Sequence, residues 1–311
     1  MGWRETAESG VTMADYILFT DSSCDIGLKT LAEWGVKTEC LTFKFDDSDT
    51  EYISMFGEPG QKVQGCEVMP AREFYDRMRS GGVARTSAVN MQTFYDAFKE
   101  ELDKGNDILF IGMSTGISNT SNAASIAADE LKSEYPDRKI ITIDTLTASV
   151  GQGLLLYDAV MMKRDGKDID EVAGYVMANL LRMNLWVTVE DLSYLKRGGR
   201  ISATAAFAGG VLQLKPVIHL DNEGKLENMM KGRGRSQSIK ALEKLYTERA
   251  TDKKGRYMIC QADCLEDAKT LENMIYEKHG AEAVMITDMS PVIGAHTGPG
   301  AIVLVFYGDE R

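Results

Sequence analysis

An α/β architecture in two domains follows from three features of the sequence. Short, wholly apolar runs alternate with stretches of helical period, polar or glycine-bearing turns separate them, and the texture changes near Leu185. At 311 residues the chain is longer than one domain usually is. We therefore expect an N-terminal, Rossmann-like α/β domain on a parallel sheet over residues 16–184. A C-terminal α/β domain on a mixed sheet is expected over 185–311, and a loose leader over 1–15.

Tyr16-Ile17-Leu18-Phe19-Thr20 reads as the first strand. It enters the polar turn Asp21-Ser22-Ser23-Cys24-Asp25, able to cap a helix over 26–34 that Gly35 ends. Residues 36–45 alternate as a second strand. Residues 46–69 are polar and glycine-bearing without a clear period, so a long loop is expected there. Pro70 opens a helix through 79 with Phe74 and Met78 on one face, and Gly81-Gly82 stops it. Ala84-Arg85-Thr86-Ser87-Ala88-Val89-Asn90 then precedes a helix over 91–104 that turns Phe94, Phe98 and Leu102 inward.

The run Ile108-Leu109-Phe110-Ile111 suits a strand buried on both faces. Behind Gly112 comes a turn crowded with Ser114, Thr115, Ser118, Asn119, Thr120 and Ser121, then a helix-favouring stretch to Leu131. A strand over 140–144 and a helix over 150–163 follow. Asp168 with Glu171 three residues later makes a capping-box start for a helix through 182. Beyond Leu185, Trp186-Val187-Thr188-Val189 reads as a strand and Lys196-Arg197-Gly198-Gly199-Arg200-Ile201-Ser202 as a basic turn. Residues 215–220 and 226–230 flank Asn222-Glu223-Gly224 as a hairpin, and a second basic turn spans 231–235. Helices over 236–248 and 266–278 alternate with strands over 257–261 and 283–287. The loop Gly294-Ala295-His296-Thr297-Gly298-Pro299-Gly300 leads into a last strand over 301–306.

Composition narrows the function. A net charge of −12 argues against nucleic-acid or anionic-membrane binding. No apolar run approaches the roughly 18–20 residues that span a bilayer, and the N-terminus has no apolar core of a signal peptide, so a cytoplasmic protein is expected. Five cysteines, an odd number without a CxxC pair, point to reduced thiols. Three histidines without metal-ligand spacing predict no metal, and no cofactor is expected. The P-loop, the dinucleotide fingerprint and the GxSxG elbow are all missing, which lowers the expectation of catalysis.

What remains is a set of neutral donors. Thr86 and Ser87 precede one helix and Ser118 the next. In a parallel sheet both turns would lie at strand carboxyl ends, where α/β folds bind ligands and helix N-termini attract anions. His296, from the other domain, could close over the same place. Hydroxyls and an imidazole suit a single carboxylate better than a phosphoryl group, which recruits Arg or Lys. Ser and Thr also cap helices and fill turns, so each residue taken alone leaves both readings open.

Six segments then acquire meaning from their order: DSSCD at 21–25, ARTSAVN at 84–90, STGISNTSNAAS at 114–125, YLKRGGRIS at 194–202, LKPVI at 214–218 and GAHTGPGA at 294–301. Together they resemble the DegV family of fatty-acid-binding proteins, which includes the acyl-carrying subunits of bacterial fatty acid kinase. The resemblance implies two α/β domains holding a long-chain fatty acid. Its carboxylate would be bound by Thr86 and Ser118, with His296 beside it and Ser87 secondary. Arg197 and Arg200 of the RGGR turn would face a fatty acid kinase catalytic subunit that carries out the phosphorylation. This chain departs from the family pattern at Thr115, often Ser; at Asn119, often Gly; and at Ala88-Val89, often Gln-Pro. The hydroxyl positions survive, and the departures bear on chain-length preference and partner choice. The expectation is therefore a lipid carrier rather than an enzyme. An enzyme acting on a small carboxylate or phosphate at the same turn, and a scaffold with a vestigial pocket, are the alternatives.

Overall fold

The computed structural model describes residues 16–201 and 214–311. The expected leader and Ser202 of the first basic turn lie outside the described residues, as do the side chains of 228–233 in the second. Three of the apolar runs and the alternating stretch after Gly35 form one parallel sheet in the order β2-β1-β8-β9, with β1 Tyr16–Asp21, β2 Val36–Glu39, β8 Asp107–Gly112 and β9 Ile140–Asp144. Ile108, Leu109, Phe110 and Ile111 are fully buried, as a strand covered on both faces requires.

Six further strands form a mixed sheet in the order β12-β11-β10-β15-β13-β14. They are β10 Met183–Thr188, β11 Leu214–Leu220, β12 Leu226–Arg233, β13 Tyr257–Gln261, β14 Met285–Asp288 and β15 Ile302–Tyr307. All its neighbours run antiparallel except β13 and β14. The hairpin β11–β12 forms as expected, around a turn in which Gly224 adopts a φ of +72°. Helix α5, Val150–Arg164, is apolar nearly all round and packs against strands of both sheets. Its preceding helices are α1 Leu28–Glu33, α2 Ala71–Arg79, α3 Met91–Asp103 and α4 Thr120–Glu134. Helix α6, Ile169–Asn179, carries the expected capping box.

The stretch over 46–69 corrects the sequence reading. It is not a loop but most of a third sheet, order β5-β6-β4-β3-β7. Its strands are β3 Thr42–Phe45, β4 Tyr52–Phe56, β5 Lys62–Val63, β6 Cys66–Met69 and β7 Ala84–Ser87. The single strand expected over 36–45 also divides, β2 staying in the parallel sheet and β3 entering this one. Between them Leu41 donates its N–H to Ser22 Oγ at 3.0 Å and accepts from Ser54 N at 2.8 Å, so the chain leaves one ladder for another. Ser54 explains why β4 was hidden. A serine at the centre of the run Tyr52-Ile53-Ser54-Met55-Phe56 breaks its apolar pattern, yet it is wholly buried.

Its hydroxyl accepts from the N–H of Val292 at 2.7 Å. That donor lies in the first turn of the helix Pro291–Thr297, whose early N–H groups have no partner within the helix. Ser290 N, just ahead, donates to Asp25 Oδ1 at 2.9 Å, and Tyr75 Oη donates to Met289 O at 2.7 Å. His296 is in this helix and not in the expected glycine loop, and the N-terminal half of the chain holds the helix in place. Ser54→Ala would leave a buried donor unpaired. It should lower stability by about 1–3 kcal/mol in urea unfolding. An unchanged midpoint would show that the bond contributes nothing.

Candidate functional site

The turn after β8 is fixed before any ligand is considered. Met113 N donates to the fully buried Asp21 Oδ2 at 3.1 Å, and Ser121 Oγ donates to Met113 O at 2.6 Å. Ser114 Oγ donates to Gly224 O at 2.9 Å and accepts from Gly116 N at 3.0 Å, docking the β11–β12 hairpin on the turn. Gly116 is required there, because a Cβ would stand 2.7 Å from Gly224 O. Thr115 bonds to Asp144 through both its N–H and its hydroxyl. Ser118 is half-buried, accepts from Thr120 N at 3.3 Å and shares a 3.1 Å hydrogen bond with Thr120 Oγ1. It therefore caps the start of α4, as the bland reading of such residues anticipates, and it also lines a cavity.

That cavity measures about 230 Å³, far more than the roughly 10–15 Å³ that one water needs. Thr86, Ser118, Arg200 and His296 lie on its wall. Leu185, Val187, Leu220, Leu226 and Val303, from the mixed sheet and its hairpin, make much of the rest apolar. Thr86 arrives by an unexpected route. Its strand β7 runs antiparallel to β3 in the third sheet, with Phe43 opposite Thr86, and is not part of the parallel sheet. Strand alternation sends the next residue the other way. Ser87 lines a separate polar pocket with Glu39, Cys40 and Asn90, away from Thr86 and Ser118.

His296 Nε2 lies 3.0 Å from Thr86 Oγ1, while Nδ1 is buried without a hydrogen-bond partner among the described residues. A bare Nδ1 leaves no buried N–H unpaired, so the proton belongs on Nε2, which donates to Thr86 Oγ1. The Thr86 hydroxyl proton is then free to point at a ligand. Gly198 of the RGGR turn stands against Nδ1, where a Cβ would come within 2.0 Å. Burial, with the nearby Arg200 charge second, pushes the imidazole down to about 4, so it is neutral at pH 7.

The two arginines of that turn divide. Helix α7, Ser193–Arg197, ends the approach to it. Arg197 lies over the Tyr194 ring at 5.3 Å and lines an outer pocket with Arg85. Arg200 lines both that pocket and the inner cavity, its Nε donating to Ile117 O at 3.1 Å and its Nη1 to Gly198 O at 2.6 Å. Burial lowers its pKa, and among the described residues no acidic group offsets this. An anion in the cavity would meet one fixed cation and two hydroxyls. Arg85, held by a two-point pair to Asp46, was not foreseen as a site residue. Its position beside Thr86 in the sequence was the only signal. All five cysteines are free, and among the described residues no cluster of potential metal ligands forms and no helix is long and apolar enough to cross a membrane.

A family profile described as "Uncharacterised protein, DegV family" matches residues 17–309. The chain belongs to the DegV family. A DegV domain-containing protein of Clostridium perfringens is 37% identical over 300 residues, 96% of this chain and 99% of that one. Among solved structures, a DegV-family protein of Thermus thermophilus described for fatty acid binding is 25% identical, with a TM-score of 0.78 over 94% of this chain and 99% of that one. A stearic acid-binding protein of Eubacterium ventriosum is also 25% identical, with a TM-score of 0.79 over 94% and 98%. This DegV chain therefore shares its fold with proteins that bind fatty acids.

The neutral His296 has a consequence for stability. The unfolded chain takes up a proton near pH 6.5, whereas the folded imidazole resists it until about pH 4. Stability from this residue is thus full above pH 6.5 and is lost as pH falls to 4, by on the order of 3 kcal/mol. Relative to wild type, His296→Gln should become more stable by that amount between pH 7 and 4 in denaturant titrations. A pH-independent difference between the two would contradict a buried neutral imidazole.

Proposed function

We propose that this protein binds one long-chain fatty acid and presents its carboxylate to a kinase partner. The carrying observation is an apolar cavity with Thr86, Ser118, His296 and an Arg200 that no acid among the described residues offsets on its wall. In this reading the carboxylate accepts from the Thr86 and Ser118 hydroxyls and neutralises Arg200, and His296 orients Thr86. The tail lies along Leu185, Leu220, Leu226 and Val303. Roughly fourteen methylenes at about 0.8 kcal/mol each supply on the order of 11 kcal/mol before the entropy of ordering the chain is subtracted. The tail would set affinity, the polar wall direction.

The Thermus and Eubacterium neighbours support the ligand class. Arg197, on the outer side of the same wall beside the Asp46-paired Arg85, offers positive charge where a phosphoryl group would arrive from a partner's nucleotide. The protein itself would carry no catalytic step and need no cofactor. Asn119 and Ala88, two of the departures from the family pattern, both line the cavity, so they would tune which chain fits. Residues 16–184 and 185–311 are the two domains of this reading, with the ligand between them.

Mass spectrometry of the denatured, purified protein should release a long-chain fatty acid in near-stoichiometric amount. Thr86→Val combined with Ser118→Ala should weaken fatty-acid binding at least about tenfold, each lost hydrogen bond to a charged group contributing roughly 1.5–3 kcal/mol. Release of a small polar compound instead, or unchanged affinity in the folded double variant, would overturn the assignment.

A further inference from the structure

An asparagine stands just ahead of both α3 and α4, and it behaves differently at each. Asn90, at ψ 164°, has the extended backbone of a capping residue, and its Oδ1 accepts from Thr93 N at 3.0 Å. Asn119 precedes α4 at φ −88° and ψ 3°, outside that extended region, and its side chain makes no capping hydrogen bond. Ser118 supplies the cap instead, accepting from Thr120 N. Among the described residues the Asn119 amide pairs with Asn122 alone, at 3.2 Å. An amide nitrogen carries two protons, and this pair uses at most one of them whichever way the two amides are turned. At least one Asn119 N–H therefore has no partner among the described residues.

Asn119 also lines the fatty-acid cavity, next to Ser118 in the chain. Burial along that lining is graded. Asn119 and Ala88 are exposed, Thr86, Ser118 and Arg200 are half-buried, and Leu185, Val187, Leu220 and Val303 are buried. The mouth of the cavity is thus at its polar wall. A carboxylate held there has two oxygens and about four acceptor positions, whereas Thr86 and Ser118 offer one hydroxyl proton each. An amide N–H at the rim adds a donor without adding a charge. Its bond to an ionised oxygen is roughly twice as strong as to a neutral one, so it favours an acid over an alcohol.

We propose that Asn119 is a further binding residue for the ligand's head group, its amide N–H donating to a carboxylate oxygen at the mouth and so selecting an ionised acid over an uncharged lipid of the same length. This role rests on the fatty-acid reading and adds a residue to it.

The delipidated full chain is tested by equilibrium dialysis with radiolabelled tetradecanoic acid and, separately, tetradecan-1-ol. Asn119→Ala should weaken the acid about three- to tenfold. Asn119→Asp keeps the shape but sets a negative charge against the carboxylate, and should weaken it by more than about tenfold. Both variants should bind the alcohol as wild type does. The urea midpoint of Asn119→Ala should not move, because the side chain caps nothing. Equal losses for acid and alcohol, full acid affinity in both folded variants, or a lowered midpoint in Asn119→Ala would each overturn the assignment. A wild-type chain that binds neither probe would remove the fatty-acid reading itself, a failure distinct from one seen only in the variants.

Discussion

One buried carboxylate ties the parts of this protein together. Asp25, in the left-handed region at φ 55°, accepts from Ser149 at the start of α5, from Cys260 in the mixed sheet and from the N–H of Ser290 ahead of the His296 helix. Ser149 itself has a φ of 55°, a conformation a non-glycine residue keeps only where its surroundings enforce it. It also lines the large apolar cavity. A carboxyl removed from water is costly unless every lone pair is used. Here that requirement fixes three elements relative to one another, and two of them, the start of α5 and the His296 helix, line the cavity.

The site follows from this frame by subtraction. Ser114, Thr115 and Ser121 spend their hydroxyls holding the turn, and α5 fills the space between two sheets. Left over are the groups not fully spent inside the protein: the Thr86 proton, Ser118 in part, and Arg200, which bonds only to carbonyls and meets no acid among the described residues. Gly198 and His296, from motifs about a hundred residues apart in the sequence, meet at a contact that admits no side chain on the glycine. The RGGR and HTGPG segments are thus two halves of one device. It keeps the imidazole neutral, dry and turned toward Thr86.

Much of this was legible beforehand. The apolar runs at 16–20 and 108–111, the capping box at Asp168 and the hairpin around Gly224 behave as local pattern and turn chemistry dictate. Thr86, Ser118 and His296 were named from motif order and do line one cavity. Three things were hidden for identifiable reasons. The third sheet escaped because buried Ser54 interrupts its central strand, and a buried polar residue is explained only by its distant partner, Val292. The separation of Ser87 from Thr86 depends on which sheet their strand joins. The inward turn of Arg200 rests on carbonyls at Ile117 and Gly198, which no spacing reveals.

On the proposed function, a bound fatty acid would lie one way round: polar head at the Thr86–Ser118 wall, hydrocarbon among the leucines and valines of the mixed sheet. A crystal structure of the protein bound to a fatty acid brominated at its terminal carbon tests it most directly, since bromine marks the tail by anomalous scattering. The expected result is a bromine peak among Leu185, Leu220 and Val303, with the carboxylate within hydrogen-bond distance of Thr86 and Ser118. A bromine peak beside Arg200, or a ligand outside this cavity, would contradict it.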